Sequence, residues 1–200
     1  MTQTTTATPV PTILKAPTDP RWIPLALAHL DQVLVDHAWC EQKAAATAMS
    51  LIVKVPENRN LVVSMMHLAH EELAHFERIH KVLEARGVPL SRMDADPYVK
   101  ELLKLGRPSG EGHLVDRLLI LSLVEARSCE RFVLLAENVP DRDLAELYHE
   151  LSLSEAGHYR LFVNLACQIS PREEVMTRLE ALAEEEVKIL ARLPITPRMH

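Results

Sequence analysis

The chain has 200 residues, 48% of them hydrophobic, which is enough for a sizeable core, and its formal charge of −6 excludes a global basic field for nucleic acid. Three cysteines far apart (Cys40, Cys129, Cys167) exclude a disulfide framework, and few glycines with abundant Leu, Ala and Glu favour helix. No basic and apolar leader opens the chain, and His29, Asp31, Asp36, His37, Glu41 and Lys43 break up the apolar stretch 22–55. The expectation is therefore a cytoplasmic protein without a membrane span.

In chain order, residues 1–18 are Thr- and Pro-rich and read as an extended arm ahead of one helical domain, 19–200. Asp19-Pro20 reads as a helix cap with Pro at the first position, opening a helix over about 23–53. Val55-Pro56-Glu57-Asn58 is a turn. The second helix, about 60–86, closes on Gly87. Residues 88–112 form a long crossover, in which Asp96-Pro97 caps a short helix to about 105. Lys100, Lys104 and Arg107 fall at i, i+4 and i+7 there, a basic stripe able to touch phosphates, although an ordinary solvated face has the same spacing. A third helix spans about 113–137 and a fourth 141–169, with Asn138-Val139-Pro140-Asp141 as the turn between them. Ser170-Pro171-Arg172-Glu173 reads as a capping box for a last helix that stops before Pro194 and packs on the others.

The second and fourth helices each carry a Glu followed three residues later by a His: Glu72 and His75, Glu155 and His158. Positions three apart share a helix face, so each pair aims a carboxylate and an imidazole at one place. In an antiparallel pair, residues equidistant from the turn lie at one level. Glu41 and Glu72 centre between Pro56 and Glu57, and Glu125 and Glu155 centre on Pro140. Glu130, the rival on the third helix, is five residues nearer its turn and so about 7 Å off that level. All four carboxylates interrupt apolar stripes, where burial without a cation is very costly. His37, one turn before Glu41, and Glu130 are candidate supports beside the ligands. His67, His70 and His80 are read as non-ligands, and Cys40 and Cys129 as small core residues.

Glu41, Glu72, His75, Glu125, Glu155 and His158 form the ligand inventory of a dinuclear carboxylate site in a ferritin-like four-helix bundle, an all-α fold here extended by a C-terminal helix. The oxygen-rich set suits two iron or manganese ions better than zinc. Such a site can reduce dioxygen for hydroxylation, dispose of peroxide as a peroxidase or catalase, or oxidise iron as a ferroxidase or iron store. No glycine-rich flavin or nicotinamide loop is present, so the two electrons of a hydroxylation are expected from a separate reductase.

Several strings resemble one family: Pro17-Thr18-Asp19-Pro20-Arg21-Trp22, Asp36-His37-Ala38-Trp39-Cys40-Glu41-Gln42-Lys43-Ala44-Ala45, and Glu71-Glu72-Leu73-Ala74-His75-Phe76. Val124-Glu125-Ala126-Arg127-Ser128-Cys129-Glu130-Arg131-Phe132 and Ser154-Glu155-Ala156-Gly157-His158-Tyr159 complete the set, which covers about 14–170. These are similar to the tRNA 2-methylthio-N-isopentenyladenosine hydroxylases. The resemblance implies a non-haem diiron monooxygenase that uses O2 to hydroxylate the isopentenyl group of a modified adenosine next to the tRNA anticodon. It also implies the same six ligands, although Glu130 belongs to the matching string too, so the resemblance alone does not decide between it and Glu125.

Overall fold

The computed structural model describes residues 12–92, 95–110 and 112–200. The described residues contain seven α-helices: α1 (Trp22–Ala28), α2 (Leu30–Lys54), α3 (Arg59–Ala85), α4 (Pro97–Leu103), α5 (His113–Asn138), α6 (Arg142–Ile169) and α7 (Arg172–Arg192). The chain separates into two compact units. One comprises the described residues up to Ile23, together with Asp96–Ile195 and His200; the other comprises Pro24–Ala95 and Thr196–Met199.

The second unit is built on the α2–α3 hairpin. Its turn is set by Asn58, whose side chain accepts from the Leu61 N–H at 3.1 Å and so satisfies one of the orphan donors of α3. Gly87, at φ 68°, ends α3 as expected, with the Val88 N–H bonded to the Leu83 carbonyl oxygen. The expected single helix over 23–53 is interrupted at His29, whose φ of −128° and ψ of 40° take one residue out of helical geometry. No proline or glycine at that position marks the break.

The first unit is built on the α5–α6 hairpin, with α4 and α7 packed on it. Asp141 caps α6 by accepting from the Asp143 and Leu144 N–H groups at 3.0 and 3.1 Å, and Asp96 caps α4 through the Val99 N–H at 3.1 Å. Helix α5 is buried around nearly its whole circumference from Val115 to Phe132. Ile13 and Leu14, from the part of the arm that is described, pack on a cluster of Ala126, Cys129, Ala156 and Tyr159. The arm's first eleven residues lie outside the described residues.

Two local expectations are corrected. Helix α4 ends at Leu103, so Lys104 is its C-cap and Arg107 lies beyond the helix. The capping box at Ser170 does not form. The Ser170 backbone N–H closes α6 on the Ala166 carbonyl oxygen, and α7 starts one residue later with Pro171, which has no side-chain acceptor, at its cap.

Candidate metal centre

In the second unit, Glu41 from α2 meets Glu72 and His75 from α3. One ligand-type atom from each lies within 4.8 Å of the others. His75 Nδ1 is 3.6 Å from both Glu41 Oε2 and Glu72 Oε2. That exceeds a hydrogen bond, yet is close to the spacing of ligands that each stand about 2.1 Å from one ion. The equal-distance argument across the 55–58 turn therefore places Glu41 and Glu72 at one level. His37 Nε2 lies 2.6 Å from Glu41 Oε1, and its N–H tautomer donates to that oxygen. The imidazole and the carboxylate are both buried.

In the first unit, Glu125 from α5 meets Glu155 and His158 from α6, again with ligand-type atoms within 4.8 Å of one another. His158 Nδ1 is 3.3 Å from Glu155 Oε2. All six residues are only 1–7% exposed. Carboxylates buried to that degree need positive charge beside them, and a donor set of carboxylates and imidazoles fits divalent iron or manganese. Gly157, between Glu155 and His158, faces open space, since a Cβ added there would meet nothing within 4 Å.

Glu130 is also buried, but its carboxylate serves another purpose. It accepts from the Thr18 N–H at 3.0 Å and the Thr18 hydroxyl at 2.6 Å, and it pairs with the Arg127 guanidinium. Cys129, the neighbouring residue, donates its thiol to the Ser152 carbonyl oxygen at 3.2 Å; burial, with Glu155 adding to it, pushes that thiol up to about 12. Cys40 is only half-buried, so the core reading fits Cys129 better. His67 and His70 are exposed and His80 is half-buried.

Sequence reasoning missed a polar network behind Glu125. Arg127 donates to Glu186 on α7 from Nε at 3.0 Å and from Nη2 at 2.8 and 3.1 Å, and its Nη2 also reaches the Ala16 carbonyl oxygen at 3.0 Å. The Tyr98 hydroxyl donates to Glu186 Oε1 at 3.0 Å. Burial on its own would lower the Arg127 guanidinium, but Glu186, Tyr98 and Glu130 together raise it. One turn on, the Arg131 guanidinium sits 4.8 Å from the centre of the Trp22 ring, and burial followed by the nearby Arg127 charge lowers it to about 10. The only signal in the sequence was the placement of two arginines inside an apolar run.

The basic stripe divides. Lys100 and Lys104 are exposed, and Lys104 pairs with Glu101. Arg107 is drawn to Asp116: its Nε and Nη2 donate to the two carboxylate oxygens at 3.0 and 2.7 Å, and Arg178 supplies a second guanidinium at 2.9 Å. Among the described residues, no helix is long and apolar enough to cross a membrane.

The chain is similar to several known proteins. The family model described as tRNA-(MS[2]IO[6]A)-hydroxylase (MiaE) matches residues 5–200. A Pseudomonas putida protein named tRNA 2-(methylsulfanyl)-N(6)-isopentenyladenosine(37) hydroxylase is 38% identical over 177 residues, 88% of this chain and 86% of its own. A Salmonella typhimurium protein of the same name is 32% identical over 91% of this chain and 85% of its own. A solved structure titled "Protein 43 with aldehyde deformylating oxygenase activity", from Synechococcus, superposes with a TM-score of 0.89 and 41% identity, covering 94% of each chain. The ferritin-like fold class follows from that likeness.

Proposed function

Because the chain belongs to the MiaE family of tRNA hydroxylases, we propose that it hydroxylates the isopentenyl side chain of 2-methylthio-N-isopentenyladenosine in tRNA, at a dinuclear iron centre. The observation that carries this reading is the pair of buried Glu/Glu/His triplets, one in each unit, within a chain the family model spans almost end to end. Glu41, Glu72 and His75 would supply one half of the ligand set and Glu125, Glu155 and His158 the other. Two irons held there would supply O2-dependent oxidation that, with two electrons from a separate reductase and two protons, puts one oxygen atom into a C–H bond and releases the other as water.

The chain's own residues do the rest. The four carboxylates offset the charge of two divalent ions, and their burial keeps bulk water from the reacting carbon. His37 fixes the orientation of Glu41 through the 2.6 Å contact, as partners behind metal ligands do. Glu130 is tied to Thr18 and Arg127, which favours Glu125 as the ligand from α5. Lys100 and Lys104 remain as exposed cations for tRNA phosphates, and the cytoplasm is where such a substrate is met.

The Synechococcus structure supports a second reading, an oxygenase acting on an aldehyde. The two are separated by assaying the iron-loaded protein, with a reductase system and O2, on prenylated tRNA and on a long-chain aldehyde. Hydroxylated nucleoside detected by mass spectrometry, abolished in Glu72→Ala and His158→Ala together with loss of bound iron, is the expected result. Deformylation without any tRNA product would overturn the tRNA reading, and full iron content in both variants would overturn the ligand assignment.

A further inference from the structure

The second unit also holds a cleft that plays no part in the ligand set. It measures about 590 Å³ and is lined by residues of α2, of the stretch after α3, and of the 196–198 segment. That lies within the range of about 300–1,000 Å³ typical of sites for small molecules. Trp39 offers an aromatic face there, and its indole N–H donates to the Ser91 carbonyl oxygen at 3.0 Å, which fixes the ring. Val88 adds an apolar wall.

The charges in the cleft are sorted. Asp31 accepts from the Arg86 guanidinium at 2.7 and 2.8 Å, and Asp36 accepts the Met199 N–H at 2.8 Å. Arg92 and Arg198 also line the cleft, and Arg198 Nη1 donates to the Ala95 carbonyl oxygen at 2.8 Å. Arg86 lies outside the lining but matches Asp31, so Arg92, Arg198 and Asp36 are the other charged side chains of the cleft. An aromatic ring fixed in place beside guanidinium groups is the recognition chemistry of an unpaired nucleotide, whose base stacks while its phosphate meets the cations.

Helix geometry says which nucleotide it is not. Trp39 precedes Glu41 by two residues on α2, so the two side chains leave the helix about 200° apart. A base stacked on Trp39 is therefore on another side of α2 from Glu41 and is not the base that presents the reacting prenyl group. We infer that this cleft receives an unpaired nucleotide of the same RNA other than the modified adenosine, its base stacked on Trp39 and its phosphate held by Arg92 and Arg198. The inference rests on the tRNA reading above.

The test is tryptophan emission of the metal-loaded full chain, titrated with an RNA stem-loop that carries the prenylated adenosine in its loop. The chain has two tryptophans, and Trp22 is 1% exposed, so quenching by a stacked base reports Trp39. Quenching is expected in the wild type. In Trp39→Phe the RNA-dependent quench disappears while affinity stays within about threefold, because phenylalanine also stacks. Trp39→Ala and Arg92→Glu each weaken binding roughly tenfold. Arg92 is exposed, so its variant keeps the test alive if Trp39→Ala fails to fold. Wild-type affinity in Arg92→Glu and no quench in the parent, with the stem-loop still bound and hydroxylated, would overturn the cleft and leave the hydroxylase reading standing. A parent that neither binds nor hydroxylates the stem-loop would remove the tRNA reading and the cleft with it.

Discussion

Replacing Glu186 by Ala is expected to cost about 3–5 kcal/mol of folding stability, although the residue lies on α7, outside both ligand triplets. The Glu186 and Arg127 side chains are both 0% exposed, and Glu186 takes hydrogen bonds from Arg127 Nε, Arg127 Nη2 and the Tyr98 hydroxyl at 2.8–3.1 Å. Truncating it leaves the buried guanidinium with Glu130 as its remaining carboxylate and strips Tyr98 of this acceptor. The cost is that of an undercompensated buried charge, not the modest net worth of an average ion pair. Folded domains are stable by about 5–15 kcal/mol, so the loss is a large part of the whole. It should appear as a fall in melting temperature of roughly 10 °C or more. The assay is urea unfolding followed by circular dichroism on the metal-free protein, comparing Glu186→Ala with Glu186→Gln and with the double variant Arg127→Met/Glu186→Leu. The amide should fall between wild type and Ala, and the double apolar variant should recover only part of the loss, since it removes the guanidinium but leaves Glu130 without Arg127. A Glu186→Ala protein within about 1 kcal/mol of wild type would refute the reasoning, because surface pairs behave that way and buried ones do not.

Glu125→Gln should lower bound iron with little loss of stability, whereas Glu130→Gln should keep its iron and unfold more readily, because Glu130 holds Thr18 and Arg127. Iron analysis beside a melting curve checks both, and the reverse pattern would exchange their roles. Asp116 contributes a pH dependence. Burial raises its carboxyl, but the guanidinium groups of Arg178 and Arg107 outweigh that and hold it well below the usual carboxylate range. Its stabilisation is therefore complete above the unfolded value of about 3.9 and is lost as pH falls from there toward the folded one. The melting temperature of Asp116→Asn should accordingly fall less steeply than that of wild type in acid, and parallel curves would dismiss the effect. Replacing Lys100 and Lys104 by Ala should make log affinity for tRNA less steep against log salt by about one to two units. An unchanged slope would take α4 out of the tRNA footprint.

The sequence by itself determined most of the helices, their turns and which carboxylates and imidazoles share a level. Helix period, the Asn58, Asp96 and Asp141 caps and the Gly87 stop act over a few residues, so neighbours along the chain decide them. A hairpin with a short turn extends that reach, because equal distance from the turn sets the level, and so Glu41 could be matched with Glu72, and Glu125 with Glu155, by arithmetic. The tertiary structure alone decided what the remaining charges do. Arg127 finds Glu186 59 residues away and Asp116 finds Arg178 62 residues away, pairings between helices that no local period encodes. For the same reason nothing local to Glu130 shows that Thr18 folds onto it from 112 residues back along the chain. Arg107 read as part of a solvated stripe until Asp116 was seen to take its guanidinium. A charge on a helix announces its own face, but which opposite charge reaches it depends on how distant segments pack, and desolvation then makes that choice costly to change.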